Sequence, residues 1–161
     1  MSDTPWKTDN WFTSPWNFFD EVREGFNFPE NIKIHDITLR DGEQQTGITF
    51  TRAEKVEIAK LLAKAGVHRR EAGMPVVSPS DEAAIKEIVD LDLGPEIFAF
   101  SRCMVPDVQK AAQCGVSGIV VEIPSSGHII KDAYNWPLDK AVQASIDATL
   151  AALNSYRGDA S

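Results

Sequence analysis

The chain has 161 residues, enough for one domain that buries about 70% of the surface its unfolded form would expose. Its composition, 43% hydrophobic and 25% charged, is that of a globular protein, and no run of about 18 apolar residues is present to span a bilayer. The net charge of −8 argues against a nucleic-acid-binding face, which needs a basic patch to neutralise phosphates, but leaves room for anionic substrates held by a few local Arg or Lys side chains.

In chain order, the start Met-Ser-Asp-Thr-Pro lacks the basic and then apolar regions of a signal peptide. Cys103 and Cys114 show no metal-ligand spacing and no disulfide framework, so they read as reduced thiols of a cytoplasmic protein. Residues 1–30 hold Trp6, Trp11, Trp16, Phe12, Phe18, Phe19, Phe26 and Phe28, eight of the chain's fourteen aromatic residues. So many rings in a polar segment need a surface to cover, which predicts an arm packed on its own domain or on a second subunit. A peptide-like ligand for another protein is the alternative.

From Ile32 onward strand and helix alternate. Residues 32–37 read as a first strand, with Ile32, Ile34 and Ile37 as its apolar positions. Thr51 and Glu54 form a capping box, opening a helix that stops at Gly66. Residues 67–72 read as a second strand. Ser80 is expected to cap the next helix, through Ile85 and Ile88, which ends before Gly94-Pro95. Residues 97–100 read as a third strand, Pro106 suits the first turn of a helix closing at Cys114-Gly115, and residues 119–123 read as a fourth strand. A long loop then leads to Pro137 and a helix to about Asn154. Four βα units predict an α/β fold with a parallel sheet. The expected organisation is an aromatic arm at 1–30, an α/β domain at 31–154 and a disordered tail at 155–161.

The richest segment runs from Ile34 to Gln44, at the end of the first predicted strand. Arg40-Asp41 alone would read as a solvated ion pair at a loop. Asp36, so near a strand end, is expected to bond loop backbone, and His35 to be a satisfied core or rim histidine. Gly42 is expected to let the backbone turn sharply. In the frame Leu39-Arg40-Asp41-Gly42-Glu43-Gln44, with Lys55 after ten further residues, the segment is similar to the signature of the isopropylmalate and homocitrate synthases, which are pyruvate carboxyltransferase-type metallolyases. Glu71-Ala72-Gly73-Met74-Pro75 likewise resembles that family's Glu-Ala-Gly-Phe-Pro stretch. Ser125 to His128 resembles a strand-end stretch with Ser and His in the same order.

The resemblance implies that the four units are the first half of a TIM barrel, with a site at the C-terminal ends of the strands. It implies a condensation of an acyl-CoA, such as acetyl-CoA, with a 2-oxo acid by metal-assisted, Claisen-like chemistry, using Mg²⁺, Mn²⁺ or Zn²⁺ as Lewis acid. In that reading Asp41 anchors the metal, and Arg40 stabilises the enolate or alkoxide oxygen. Glu71 orients Arg40, and Gln44 fixes the substrate carboxylate or holds Arg40. Arg102 and His128 face the substrate. The bland alternatives are Glu71 paired with Arg69 or Arg70, and His128 idle on the rim. The rival functions are a hydroxymethylglutaryl-CoA lyase-type carbon–carbon cleavage and a non-catalytic interaction module.

The family's metal site is completed by a His-x-His pair late in the barrel, which His35, His68 and His128 do not form. The chain is therefore expected to be inactive alone: a fragment, a split half needing a C-terminal half-barrel chain, or a homo-oligomer of half-barrels, with the fragment favoured. Two unpaired sheet edges predict self-association.

Overall fold

The computed structural model describes residues 4–27 and 29–157 and divides into two compact units, Met1–Ile32 and Lys33–Ser161. In the first, Lys7 and Phe12 form an antiparallel bridge, closed by Thr13 N–H donating to the Trp6 carbonyl at 2.9 Å. A 3₁₀ turn at Pro15–Phe18 and a short helix α1, Asp20–Arg23, follow. Trp6 lies against Phe18 at 6.0 Å between ring centroids and Trp16 against Phe19 at 5.4 Å, while Trp11, Phe12 and Trp16 stay exposed. Phe28 of the predicted arm lies outside the described residues.

The second unit is a four-stranded parallel sheet in the order β1 (His35–Asp36), β2 (Arg69–Glu71), β3 (Glu96–Arg102), β4 (Gly118–Glu122). Helices α2 (Arg52–Ala65), α3 (Pro79–Asp90) and α4 (Val105–Ala112) make the crossovers, and α5 (Leu138–Arg157) follows β4. This is the α/β arrangement of half a TIM barrel, with strands in chain order.

Local chemistry explains most boundaries. Thr51 and Glu54 form the capping box, and Gly66 ends α2 at φ 87°, a left-handed backbone that glycine adopts without strain. The cap of α3 differs from expectation. Ser78, not Ser80, accepts from the Asp81 N–H at 3.1 Å, because Pro79 takes the first helical position and needs no partner for a missing N–H. The first strand is also shorter than 32–37. It pairs with only two of the three residues of β2, Arg69 and Arg70, and Ile32, Ile34 and Ile37 are exposed. At the other end α5 runs on to Arg157, past Asn154, so Ser155 to Arg157 are helical where a tail was expected. The Ser155 hydroxyl donates to the Ala151 carbonyl at 2.9 Å and the Tyr156 hydroxyl to the Val116 carbonyl at 3.1 Å. Residues 158–161 lie outside the described residues.

The two faces of the sheet differ. Along β3, Ile97, Ala99 and Ser101 are buried, while Glu96, Phe98 and Phe100 alternate with them, half-buried, on the other face, as a period of two requires. The buried face meets the helices in a core of Leu39, Val56, Ala59, Ile85, Ile88 and Ala111, and a second cluster joins Cys103, Val108 and Ala148 under α5. The opposite face is the inner face of the barrel wall. There Phe98 lies so close to Gly118 that a Cβ on the glycine would fall 2.2 Å from the ring.

Candidate active site

After β1 the chain winds around one carbonyl. The Ile37 oxygen accepts from the N–H groups of Arg40, Asp41 and Gly42 at 3.1, 2.9 and 3.2 Å, and a 3₁₀ turn at Gly42–Gln44 continues the coil. Asp36 holds the entry to this coil, as expected of a strand-end aspartate. One carboxylate oxygen accepts from the Thr38 N–H and the other from the Thr38 hydroxyl, each at 3.0 Å, a local turn that Asp forms readily. Gly42 does not make the sharp bend that was expected of it. It has no positive φ, and an added Cβ would meet only ordinary contacts at 3.6 Å. The position that requires glycine is Gly73, just after β2, at φ 140°.

The coil directs Arg40 back over the sheet. Its Nε donates to Glu71 Oε2 at 2.5 Å, its Nη1 donates to Asp41 Oδ1 at 2.9 Å, and the guanidinium carbon stands 4.4 Å from the Phe100 ring centroid. Glu71 is nearly closed to solvent, with 6% of its side chain exposed, whereas Asp41 keeps 50%. The second oxygen of Glu71 lies 3.2 Å from His35 Nε2. Three strand ends thus meet: the β1 loop supplies Arg40 and Asp41, β2 supplies Glu71, and β3 supplies the ring beneath the guanidinium. The pairing of Glu71 with Arg69 or Arg70 is not what forms. Arg69 bonds Glu96, and the wholly buried Arg70 donates to the Ala59 carbonyl. Burial pushes the Arg70 guanidinium down in pKa, with the Asp36 carboxylate opposing.

The other predicted residues are placed differently. Gln44 is exposed and lines, with Arg40, Ile48, Val77 and Ser78, a cleft of about 380 Å³; Arg40 is held by Glu71 and Asp41. Arg102 ends β3 but turns to Asp107, donating from Nε at 2.6 Å. That hydrogen bond, with the charge of Asp107 behind it, holds the guanidinium pKa up. His128 is 97% exposed, its Nδ1 3.8 Å from Asp132 Oδ2. Arg40, Asp41 and Glu71 are therefore brought together, and Gln44 flanks them. Arg102, the last residue of β3, and His128, in the segment after β4, do not join the cluster.

Sequence reasoning passed over three participants. His35 is the satisfied histidine expected, but its partner is Glu71 of the site. Phe100 carries no signal of its own in the sequence, although alternation along β3 puts it on the inner face. Lys55 stands out in the sequence only by its spacing, yet its ammonium lies 2.6 Å from Glu43 Oε2 and also bonds Asp81.

A divalent metal needs several converging ligands. Among the described residues no group of three or more His, Cys, Asp or Glu is placed to hold one. Asp41 offers a single carboxylate, one oxygen of which accepts from Arg40. The residues described thus fall short of a metal site by themselves. Also among the described residues, no helix is long and apolar enough to cross a membrane.

Comparison with known proteins bears on the family and on the fold. The HMGL-like family model matches residues 31–159. A protein named as a probable 2-isopropylmalate synthase of Ignicoccus hospitalis is 41% identical over 122 residues, covering 76% of this chain and 31% of the relative. A homocitrate synthase of Methanothermobacter thermautotrophicus is 34% identical over 138 residues, covering 86% of this chain and 34% of the relative. The chain therefore spans about a third of the length of these curated relatives. Among solved structures, an HMG-CoA lyase of Bacillus subtilis superposes with a TM-score of 0.65 at 16% identity, over 81% of this chain and 45% of that one, a likeness of fold.

Proposed function

Starting from a chain that belongs to the HMGL-like family, we propose that it carries the Arg40–Glu71 part of the active site of an enzyme condensing an acyl-CoA with a 2-oxo acid. The observation that supports this most is the guanidinium held at 2.5 Å by a nearly buried carboxylate, at the C-terminal end of a parallel sheet. Functional sites of such folds gather at that end.

In the proposed reaction a base outside this chain removes a proton from the acyl-CoA carbon next to the thioester. The carbanion attacks the ketone carbon of the 2-oxo acid, the ketone oxygen becomes an alkoxide and takes a proton, and water then cleaves the thioester to release CoA. Negative charge builds on oxygen twice, first in the enolate and then in the alkoxide. Arg40, already paired and resting on Phe100, meets that charge without reorganising, which is the most effective form of electrostatic stabilisation. Glu71 keeps the guanidinium in one rotamer, and His35 fixes the second Glu71 oxygen. Gln44, exposed in the adjoining cleft, would bond the substrate carboxylate. Asp41 would supply one oxygen ligand to a divalent metal whose remaining ligands come from other parts of the enzyme. Arg102 and His128 are assigned to the outer margin of the substrate cleft.

The test is to assay the full-length protein with acetyl-CoA and a panel of 2-oxo acids, following free CoA thiol. Release that requires both substrates, and is lost in Arg40→Ala, is the expected result. Cleavage of a 3-hydroxy-3-methylglutaryl-type thioester with no condensation would assign the lyase reaction instead. Absence of both activities from the folded protein would favour an interaction module.

A further inference from the structure

One buried cation ties together the two loops that bear the site. Lys55, on the first turns of α2, has only 2% of its side chain exposed, and its ammonium donates to Glu43 Oε2 at 2.6 Å and to Asp81 Oδ1. Each carboxylate is committed a second time. Glu43 Oε1 accepts from the Phe50 N–H at 2.9 Å, closing the loop that begins with Arg40 and Asp41. Asp81 Oδ2 accepts from the Ser78 hydroxyl at 2.6 Å, and Ser78 caps α3 directly after the Glu71–Pro75 segment. The chain thus runs from Arg40 through Glu43 to Lys55, and from Lys55 through Asp81 and Ser78 back towards Glu71.

A capping lysine on a solvated helix would gain little from such pairs. Here the ammonium is desolvated, so it stays only because both carboxylates face it, and removing either leaves an under-compensated buried charge. Between its anchors at Glu43 and Phe50 the loop crosses Gly47 at φ 84° and exposes Gln44 and Ile48. We propose that Lys55 is a positioning residue: through Glu43 on one loop and Asp81 on the other, it sets the register in which Arg40 meets Glu71. The link to turnover rests on the condensation reading above, whereas the link to the Arg40–Glu71 bond stands on the geometry alone.

The experiment uses ¹⁵N-labelled full chain and three variants, Lys55→Met, Lys55→Arg and the triple variant Lys55→Met with Glu43→Gln and Asp81→Asn, in which all three charges are neutralised. Two signals are read by NMR: exchange of the Phe50 amide, and the Arg40 Nε–H resonance, which the bond to Glu71 shields from exchange. Lys55→Met is expected to speed exchange at both by about tenfold or more, while the Ile97 and Ala99 amides of β3 keep their protection. Lys55→Arg, which keeps the charge, is expected to recover most of the protection. The triple variant, free of buried unpaired charge but without the clamp, is expected to fold and still expose Arg40 Nε–H. Should Lys55→Met fail to fold, the triple variant and Glu43→Gln alone carry the same expectation. An Arg40 Nε–H that stays shielded in any folded variant lacking the clamp would overturn the proposal. So would loss of protection at Phe50 and at Ile97 and Ala99 in equal measure, which would make Lys55 a stability residue only. Failure of the full-length enzyme to condense its substrates would count against the function proposed above and leave these signals unaffected.

Discussion

Each contact of Arg40 removes a different freedom. Glu71 fixes the Nε edge, Asp41 the outer Nη1, and the Phe100 ring the plane. Arg40→Ala in the full-length enzyme is therefore expected to lower kcat by about 10²–10³, the usual cost of losing a preorganised donor to an oxyanion. Near-normal turnover would remove Arg40 from the mechanism. Asp41 as the only proposed ligand on this chain leads to a second expectation. The chain alone should bind Mg²⁺, Mn²⁺ or Zn²⁺ weakly, and a tight calorimetric site abolished by Asp41→Ala would contradict it. The Lys55–Asp81 pair gives a pH dependence. Burial raises the Asp81 carboxyl, but hydrogen bonds from Lys55 and Ser78 outweigh it, and the net shift is downward. Burial likewise lowers Lys55, but its bonds to Asp81 and then Glu43 outweigh that, and the net shift is upward. A depressed carboxylate contributes stability above its unfolded pKa of about 3.9 that is lost as pH falls through the folded value. A raised lysine contributes stability below about 10.4 that is lost as pH rises through its own folded value. The melting temperature of the wild type should thus fall more steeply below about pH 4 than that of Asp81→Asn. Parallel curves would remove the pair from the pH response.

Among the elements, α3 shows how one residue shifts a boundary. Ser78 is extended and accepts from the Asp81 N–H, while Ser80 lies inside the first turn. Ser78→Ala should cost about 1 kcal/mol or more, and Ser80→Ala no more than a few tenths. Urea unfolding that ranked the two the other way would restore Ser80 as the cap. The helices, the two caps of α2 and the strand order were legible from periodicity, Thr51 and Gly66, because those signals act within one turn of the residue that sends them. The extent of β1 was not. Ile32, Ile34 and Ile37 suggested a strand of six residues, but strand length depends on what pairs alongside, and β2 offers three residues.

At the scale of the whole molecule, half a barrel wall leaves surface that a closed barrel would cover. Leu138, Val142, Ile146, Leu150 and Leu153 form an exposed apolar stripe along α5, each at least 48% exposed, and the outer edges of β1 and β4 are unpaired among the described residues. The 161-residue chain on its own is expected to self-associate. Sedimentation velocity should show the mass average rising with concentration, and Val142→Glu with Ile146→Lys should reduce it. A sharp monomer at high concentration would mean that stripe and edges are covered.

The amino-acid sequence by itself determined the βα alternation, the capping box at Thr51 and the Leu39–Gln44 and Glu71–Pro75 motifs that carry the family. These depend on residues a few positions apart, whose side chains are brought together by local backbone geometry. Partners were chosen by the fold. Glu71 could have taken Arg69, Arg70 or Arg40, and it is the pleat of β2 with the coil around the Ile37 carbonyl that delivers Arg40 and sends Arg69 to Glu96. It likewise put His35 on Glu71, turned Arg102 to Asp107, and buried Lys55 between Glu43 and Asp81. Those choices join residues up to 36 positions apart, and a charge finds its partner across such a distance through packing, which no local pattern records.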